Sequence, residues 1–153
     1  MESMKALTMD YESTCAFIDK CDEHMFKVKN WALITTSAVI AFSISSGKDL
    51  VVFSNLVLIP AFLYMELIYK SFQESTIEHA TDLAKRIDRS LSAGSDAGVL
   101  EGYQFGFGRK LLYPSLQQCA SILVNPARRH ILNFYVLIFV FSIGAFLLGR
   151  YAA

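Results

Sequence analysis

Three stretches of the chain lack the alternation of apolar and charged positions seen elsewhere. Residues 30–47 carry no charge between Lys29 and Lys48, residues 50–69 carry only Glu66, and residues 131–149 carry none between His130 and Arg150. A hydrocarbon layer about 30 Å thick is crossed by roughly 20 apolar residues at 1.5 Å each, so each stretch predicts one transmembrane helix. Ahead of the first, Thr14, Ile18, Cys21, Met25 and Val28 recur at three- and four-residue steps. This predicts an amphipathic helix over 10–29 that runs into the first span, with Trp31 at headgroup depth.

Beyond Lys70 the second helix is expected to continue. Ile77, Ala80, Leu83, Ala84, Ile87 and Leu91 form an apolar stripe opposite Glu74, Glu78, Lys85 and Arg89. Ser92 to Gly98 breaks it, and Gly94, Gly98, Gly102, Gly106 and Gly108 punctuate the stretch up to Lys110. A short apolar helix is expected within Leu111–Val124, and Asn125-Pro126 supplies an N-cap and first-turn pair for the last helix. Pro60 removes one backbone hydrogen bond inside the second span and predicts a kink near Leu56. The fold class is therefore an all-α membrane protein, one domain of 153 residues, with three transmembrane helices and amphipathic helical extensions.

Charge sets the expected orientation. Residues 1–29 and 70–130 hold 4 and 8 Lys/Arg, while Lys48 and Arg150 are the only 2 on the other side. Basic loops are retained in the cytoplasm, so the N-terminus and the 70–130 segment are expected inside and the C-terminus outside. Six acidic residues in each of those two segments nearly cancel the basic ones, which argues against general affinity for polyanions. Cys15, Cys21 and Cys119 then share a reducing compartment, and their spacing with His24 fits no usual zinc pattern.

Several residues carry possible chemistry. Thr36 and Ser43 stand in a first span rich in hydroxyls, which either tie neighbouring helices together or face water in a pore. Glu66 is ionisable within a span; it is either functional or paired with Lys70 one turn away. Asn133, Phe134, Phe141 and Ser142 would line a path if the last helix faced an axis. Phe134, Phe139, Phe141 and Phe146 suggest an apolar constriction there. In the 70–130 segment, Tyr103, Phe105 and Phe107 alternate with small residues and end in Arg109 and Lys110. Extended, such a run is a stacking platform for bases with cations for phosphates, or a loop that dips into the lipid interface. Arg128 and Arg129 at the mouth of the last helix, and Arg86 and Arg89 on the second, add cations. No nucleophile elbow, phosphate-cradling Gly-Lys-Ser/Thr loop or His-Glu-x-x-His motif occurs, so neither catalysis nor a metal or cofactor is expected.

The blocks Phe26-Lys27-Val28-Lys29-Asn30-Trp31-Ala32-Leu33, Thr35-Thr36-Ser37-Ala38, Ile59-Pro60, Tyr69-Lys70-Ser71-Phe72-Gln73 and Arg109-Lys110-Leu111-Leu112-Tyr113-Pro114-Ser115 resemble a family of small three-span bacterial membrane effectors of anti-phage defence, the channel subunits of Hailong systems among them. Two-span SLATT-type effectors are the neighbouring family, from which the third span departs. The resemblance implies a homo-oligomeric, tetrameric channel in the bacterial inner membrane. It would be closed until a partner nucleotidyltransferase makes a nucleotide or single-stranded oligonucleotide, and would then depolarise the infected cell. The rival expectation is a non-conducting membrane anchor that recruits a cytosolic partner through 11–28 and 71–91.

Overall fold

A computed structural model describes residues 2–93 and 116–152, and every regular element among them is helical. Helix α1 spans Glu2–Ser46, a 3₁₀ turn covers Asp49–Ser54, and α2 spans Asn55–Ala93. Helix α3 is the short Leu116–Val124, and a 3₁₀ turn at Pro126–Arg128 leads into α4, Arg129–Ala152. Portions of α1, α2 and α4 are long and apolar enough to cross a membrane.

Helices α1 and α2 form an antiparallel hairpin. Asp10 lies by His79, His24 stacks on Tyr69 and Lys29 reaches Glu66, so partner numbers fall along one helix as they rise along the other. The turn between them depends on Gly47, whose φ of +63° lies in the left-handed region that commonly terminates helices. Ser43 donates its hydroxyl to the Lys48 carbonyl at 3.0 Å, and the Val51 amide donates to the same oxygen at 3.1 Å. Together these close the reversal, the second being the i+3 bond that opens the 3₁₀ turn.

The hairpin is held by a seam of period 3.5. On α2, Asn55, Ile59, Phe62, Glu66, Tyr69, Gln73, Thr76, Ala80, Leu83, Ile87 and Ser90 alternate steps of four and three, and all are buried or half-buried. Leu7, Tyr11, Thr14, Ile18, Cys21, Met25, Val28 and Ala32 do the same on α1. A seven-residue repeat of this kind keeps two helices facing each other as a left-handed supercoil. After Ala32 the buried positions step by fours, to Thr36 and Ile40. The local shift from the seven-residue repeat relaxes the supercoil. It coincides with the level where α4 enters.

There the core becomes three-helical. Ala32, Ile59, Leu67, Ile131, Tyr135 and Ile138 pack together, and α3 closes the end of this cluster with Cys119 and Ile122. At 1.5 Å per residue, α1 is about 67 Å long and α2 about 58 Å, each close to twice a 30 Å hydrocarbon layer. Their charged ends therefore project beyond any layer that their apolar parts cross.

Two expectations need correction. Residues 50–54 are not the first turns of the second α-helix but belong to the 3₁₀ turn Asp49–Ser54, and the α-helix begins at Asn55. The buried stripe of the α2 extension is also rotated from the purely apolar one. Ile77 and Leu91 are exposed at 43% and 69%, whereas Thr76 and Ser90 are buried. Thr76 enters the seam at no polar cost, since its hydroxyl donates to the Phe72 carbonyl one turn back at 2.8 Å.

Candidate functional site

Glu66 is the centre of the polar chemistry. It stands on α2 at a seam position facing both α1 and α4, and only 1% of it is exposed. An unpaired carboxylate there would be expensive, so the neighbouring helices supply its partners. From α1, the Lys29 ammonium lies 3.1 Å from Oε1. From α4, the Tyr135 hydroxyl donates to Oε2 at 2.9 Å. The two carboxylate oxygens thus join all three long helices at one level.

The surroundings hold the partners in place. Tyr135 is itself buried and meets Phe134 edge to face, with ring centroids 5.2 Å apart. The Lys29 ammonium sits 5.7 Å from the centre of the Phe134 ring, within range of a cation–π attraction. A pocket of about 190 Å³ opens beside the pair, lined by Asp22, Met25, Phe26, Lys29, Glu66, Lys70, His130 and Ile131. Lys70 does not pair with Glu66 as its i,i+4 spacing suggested; its ammonium donates to the buried Gln73 side chain instead. Glu66 points across the seam, a direction that favours Lys29 from another helix over a neighbour on its own.

Two further polar groups lie deeper. The buried Asn55 amide donates to the Ser142 hydroxyl at 2.9 Å, a second tie between α2 and α4. Asn55 Oδ1 and the Thr36 hydroxyl are enclosed without a partner among the described residues. Each faces a cavity. Asn55 and Ser142 line one of about 250 Å³ beside Phe139 and Phe146, and Thr36 lines one of about 340 Å³ beside Phe134 and Phe141. The four phenylalanines therefore split over two faces of α4. A five-residue offset turns a helix by about 140°, which separates Phe134 and Phe141 from Phe139 and Phe146.

The remaining expected residues divide clearly. Ser43 belongs to the interhelical turn, and Asn133 is exposed on α4. Arg128 is ion-paired with Glu74, which fastens the start of α4 to α2. Arg129 and Arg89 are exposed, and Arg86 pairs with Asp82 on its own helix at 2.9 Å. Tyr103, Phe105, Phe107, Arg109 and Lys110 lie outside the described residues. Outside the uncharged stretches, burial, reinforced by the neighbouring Asp22 carboxylate, pushes the Cys21 thiol above its ordinary value. That suits a structural thiol. No group of His, Cys, Asp and Glu able to hold a metal occurs among the described residues.

Sequence reasoning marked Glu66 and Ser142 but missed Lys29, Tyr135 and Asn55 as their partners. Lys29 read as the charge bounding a span, and Tyr135 carried no signal that set it apart in the last stretch. A comparison with known protein families, curated proteins and solved structures finds no match for this chain.

Proposed function

We propose that this chain is one subunit of a homo-oligomeric, ligand-gated ion channel in a bacterial inner membrane, and that the Glu66 cluster is its closing latch. The observation that carries this reading is the buried carboxylate held by both other long helices. A structural protein has little reason to bury such a charge, since a well-packed apolar trio is often as stable or more so. A bistable element gains from it, because breaking one contact weakens the α1–α2–α4 junction as a unit.

Three helices packed about a shared core leave no water path within one chain, so conduction requires several copies around an axis. The partnerless Asn55 Oδ1 is a polar atom that a path assembled from several copies can hydrate. With the N-terminus and residues 70–130 in the cytoplasm, the opening signal is a cytosolic one. A nucleotide or single-stranded oligonucleotide is the signal that releases the latch at Lys29, Glu66 and Tyr135. The resemblance to anti-phage effectors supplies the biological setting, depolarisation of an infected cell.

The test is flux from proteoliposomes holding the purified chain, with and without short single-stranded DNA and RNA or cyclic nucleotides. The wild type is expected to conduct only with one of these, and Glu66→Gln to leak without any. Silence of both proteins under every ligand would remove the channel from consideration.

A second reading rests on a different observation. Ile77 and Leu91, fourteen residues apart on one face of the α2 extension, are exposed on the part of α2 beyond its apolar stretch. Such a face suits a membrane anchor that recruits a cytosolic protein. An anchor would relocate its partner to the membrane and leave the membrane potential intact, whereas an opened channel would collapse it.

A further inference from the structure

The polar pocket beside Glu66 and the cavity beside Thr36 are consecutive along one seam. The first is bounded by residues 22–29 of α1 and 130–131 of α4, the second by residues 33–37 of α1 and 134–141 of α4. Lys29 stands at their junction, lining the pocket while its ammonium lies over Phe134, which lines the groove. We propose that pocket and groove together bind one phospholipid whose headgroup carries both a phosphate and a primary ammonium, with an acyl chain lying between α1 and α4. The inference rests on the membrane placement of these helices and not on conduction.

Three observations support this occupant. The first is polarity: the pocket presents ammonium and carboxylate groups, while the groove is walled by Leu33, Phe134, Leu137 and Phe141. A soluble phosphate has no use for the groove, and an alkane none for the pocket. The second is size. From His130 to Phe141 is about 16 Å along α4, close to the roughly 15 Å depth of one lipid leaflet's hydrocarbon. The residues that line the groove run along the roughly 10 Å from Phe134 to Phe141, the length of several methylene groups.

The third is charge. Lys29 and Lys70 face Asp22 and Glu66 across the pocket, so its formal charge is balanced when His130 is neutral. Glu66 is already committed to Lys29 and Tyr135. Lys70, whose ammonium keeps two donors beyond the one given to Gln73, and the exposed His130 are placed for the phosphate, and the exposed Asp22 for the ammonium. A purely anionic headgroup would leave Asp22 opposing it.

The experiment is native mass spectrometry of the full chain released from detergent after incubation with equimolar phosphatidylethanolamine and phosphatidylglycerol of identical acyl chains. One phosphatidylethanolamine per chain is expected, favoured over phosphatidylglycerol by about fivefold or more. Lys70→Ala and Asp22→Ala are each expected to lower its retention about tenfold, a difference of about 1.4 kcal/mol in binding. Ser37→Phe, at an exposed position on the groove wall, is expected to abolish retention. Unchanged protection of Cys21 and Cys119 from alkylation confirms that each variant is folded, since both are buried in the wild type. Equal retention of the two lipids, indifference to Lys70→Ala and Asp22→Ala, or displacement by millimolar free phosphoethanolamine overturns the proposal. So does a disulfide between copies through Ser37→Cys, which would give the groove to a second chain.

Discussion

The two halves of the α1–α2 hairpin are built on opposite rules. Around Glu66 and beyond it towards the turn, large apolar side chains face outwards, with Ile34, Val57 and Leu137 at 69%, 72% and 68% exposure, while Thr36, Asn55, Glu66 and Ser142 are buried. In the other half the seam again mixes apolar and hydroxyl side chains, Leu7, Ala80 and Leu83 with Thr14 and Thr76, but charges such as Glu23, Lys27 and Asp82 face outwards. The same supercoiled backbone runs through both. What changes is the solvent that each half is suited to, since in lipid the outer surface costs nothing to make apolar and helix association falls to packing and polar ties. In water the seam supplies the driving force and the surface supplies solubility.

This contrast can be broken most forcefully at the latch. Lys29→Ala leaves Glu66 buried without its cation and is expected to destabilise the chain by about 3–5 kcal/mol, read from denaturant unfolding in mixed micelles. The double variant Lys29→Ala/Glu66→Leu should recover most of that loss. If the double variant is as unstable as the single one, the cost lies in packing and not in the stranded charge.

Next in size is the seam of the charged half. Leu83→Ala should cost about 2–4 kcal/mol, as expected for a fully buried leucine, while Ile77→Ala on the exposed face should change stability by less than about 0.5 kcal/mol. Equal effects at the two positions would mean that the stripe is not rotated as described. Smaller again is the deeper tie. Ser142→Ala should cost about 0.6–1.7 kcal/mol, the range found for interhelical hydrogen bonds in membranes. The smallest effect is expected at Thr36→Val, which removes a hydroxyl without a partner and should leave stability within about 0.5 kcal/mol or raise it slightly. A loss of more than about 1 kcal/mol there would reveal a partner for that hydroxyl, and with it a neighbouring chain or an ordered water.

Much of this architecture is legible along the chain. The three charge-poor stretches supply the apolar parts of α1, α2 and α4, and continuation of the second helix past Lys70 follows from its periodicity. Glu66 is conspicuous as the one charge in its stretch. The rotation of the α2 stripe was not legible, because Thr76 is polar by composition but satisfied by its own helix, and Ile77 beside it is the more apolar residue. Hydropathy ranks side chains by their cost in isolation, whereas the seam selects positions by a step of three and four that both helices must keep together.

By itself, then, the amino-acid order determined how many times the chain can cross a bilayer, where those helices lie and which residues are conspicuous in them. These follow from local quantities, the free energy of placing successive side chains in lipid or water and the rise of a helix. Tertiary structure alone decided that Glu66 takes Lys29 and Tyr135 instead of Lys70, that Asn55 meets Ser142, and that two cavities fall in line between α1 and α4. Those partners stand 37, 69 and 87 residues apart, and no local preference chooses between them. The choice is made when three helices settle into a common register and each buried polar atom must find what its neighbours present.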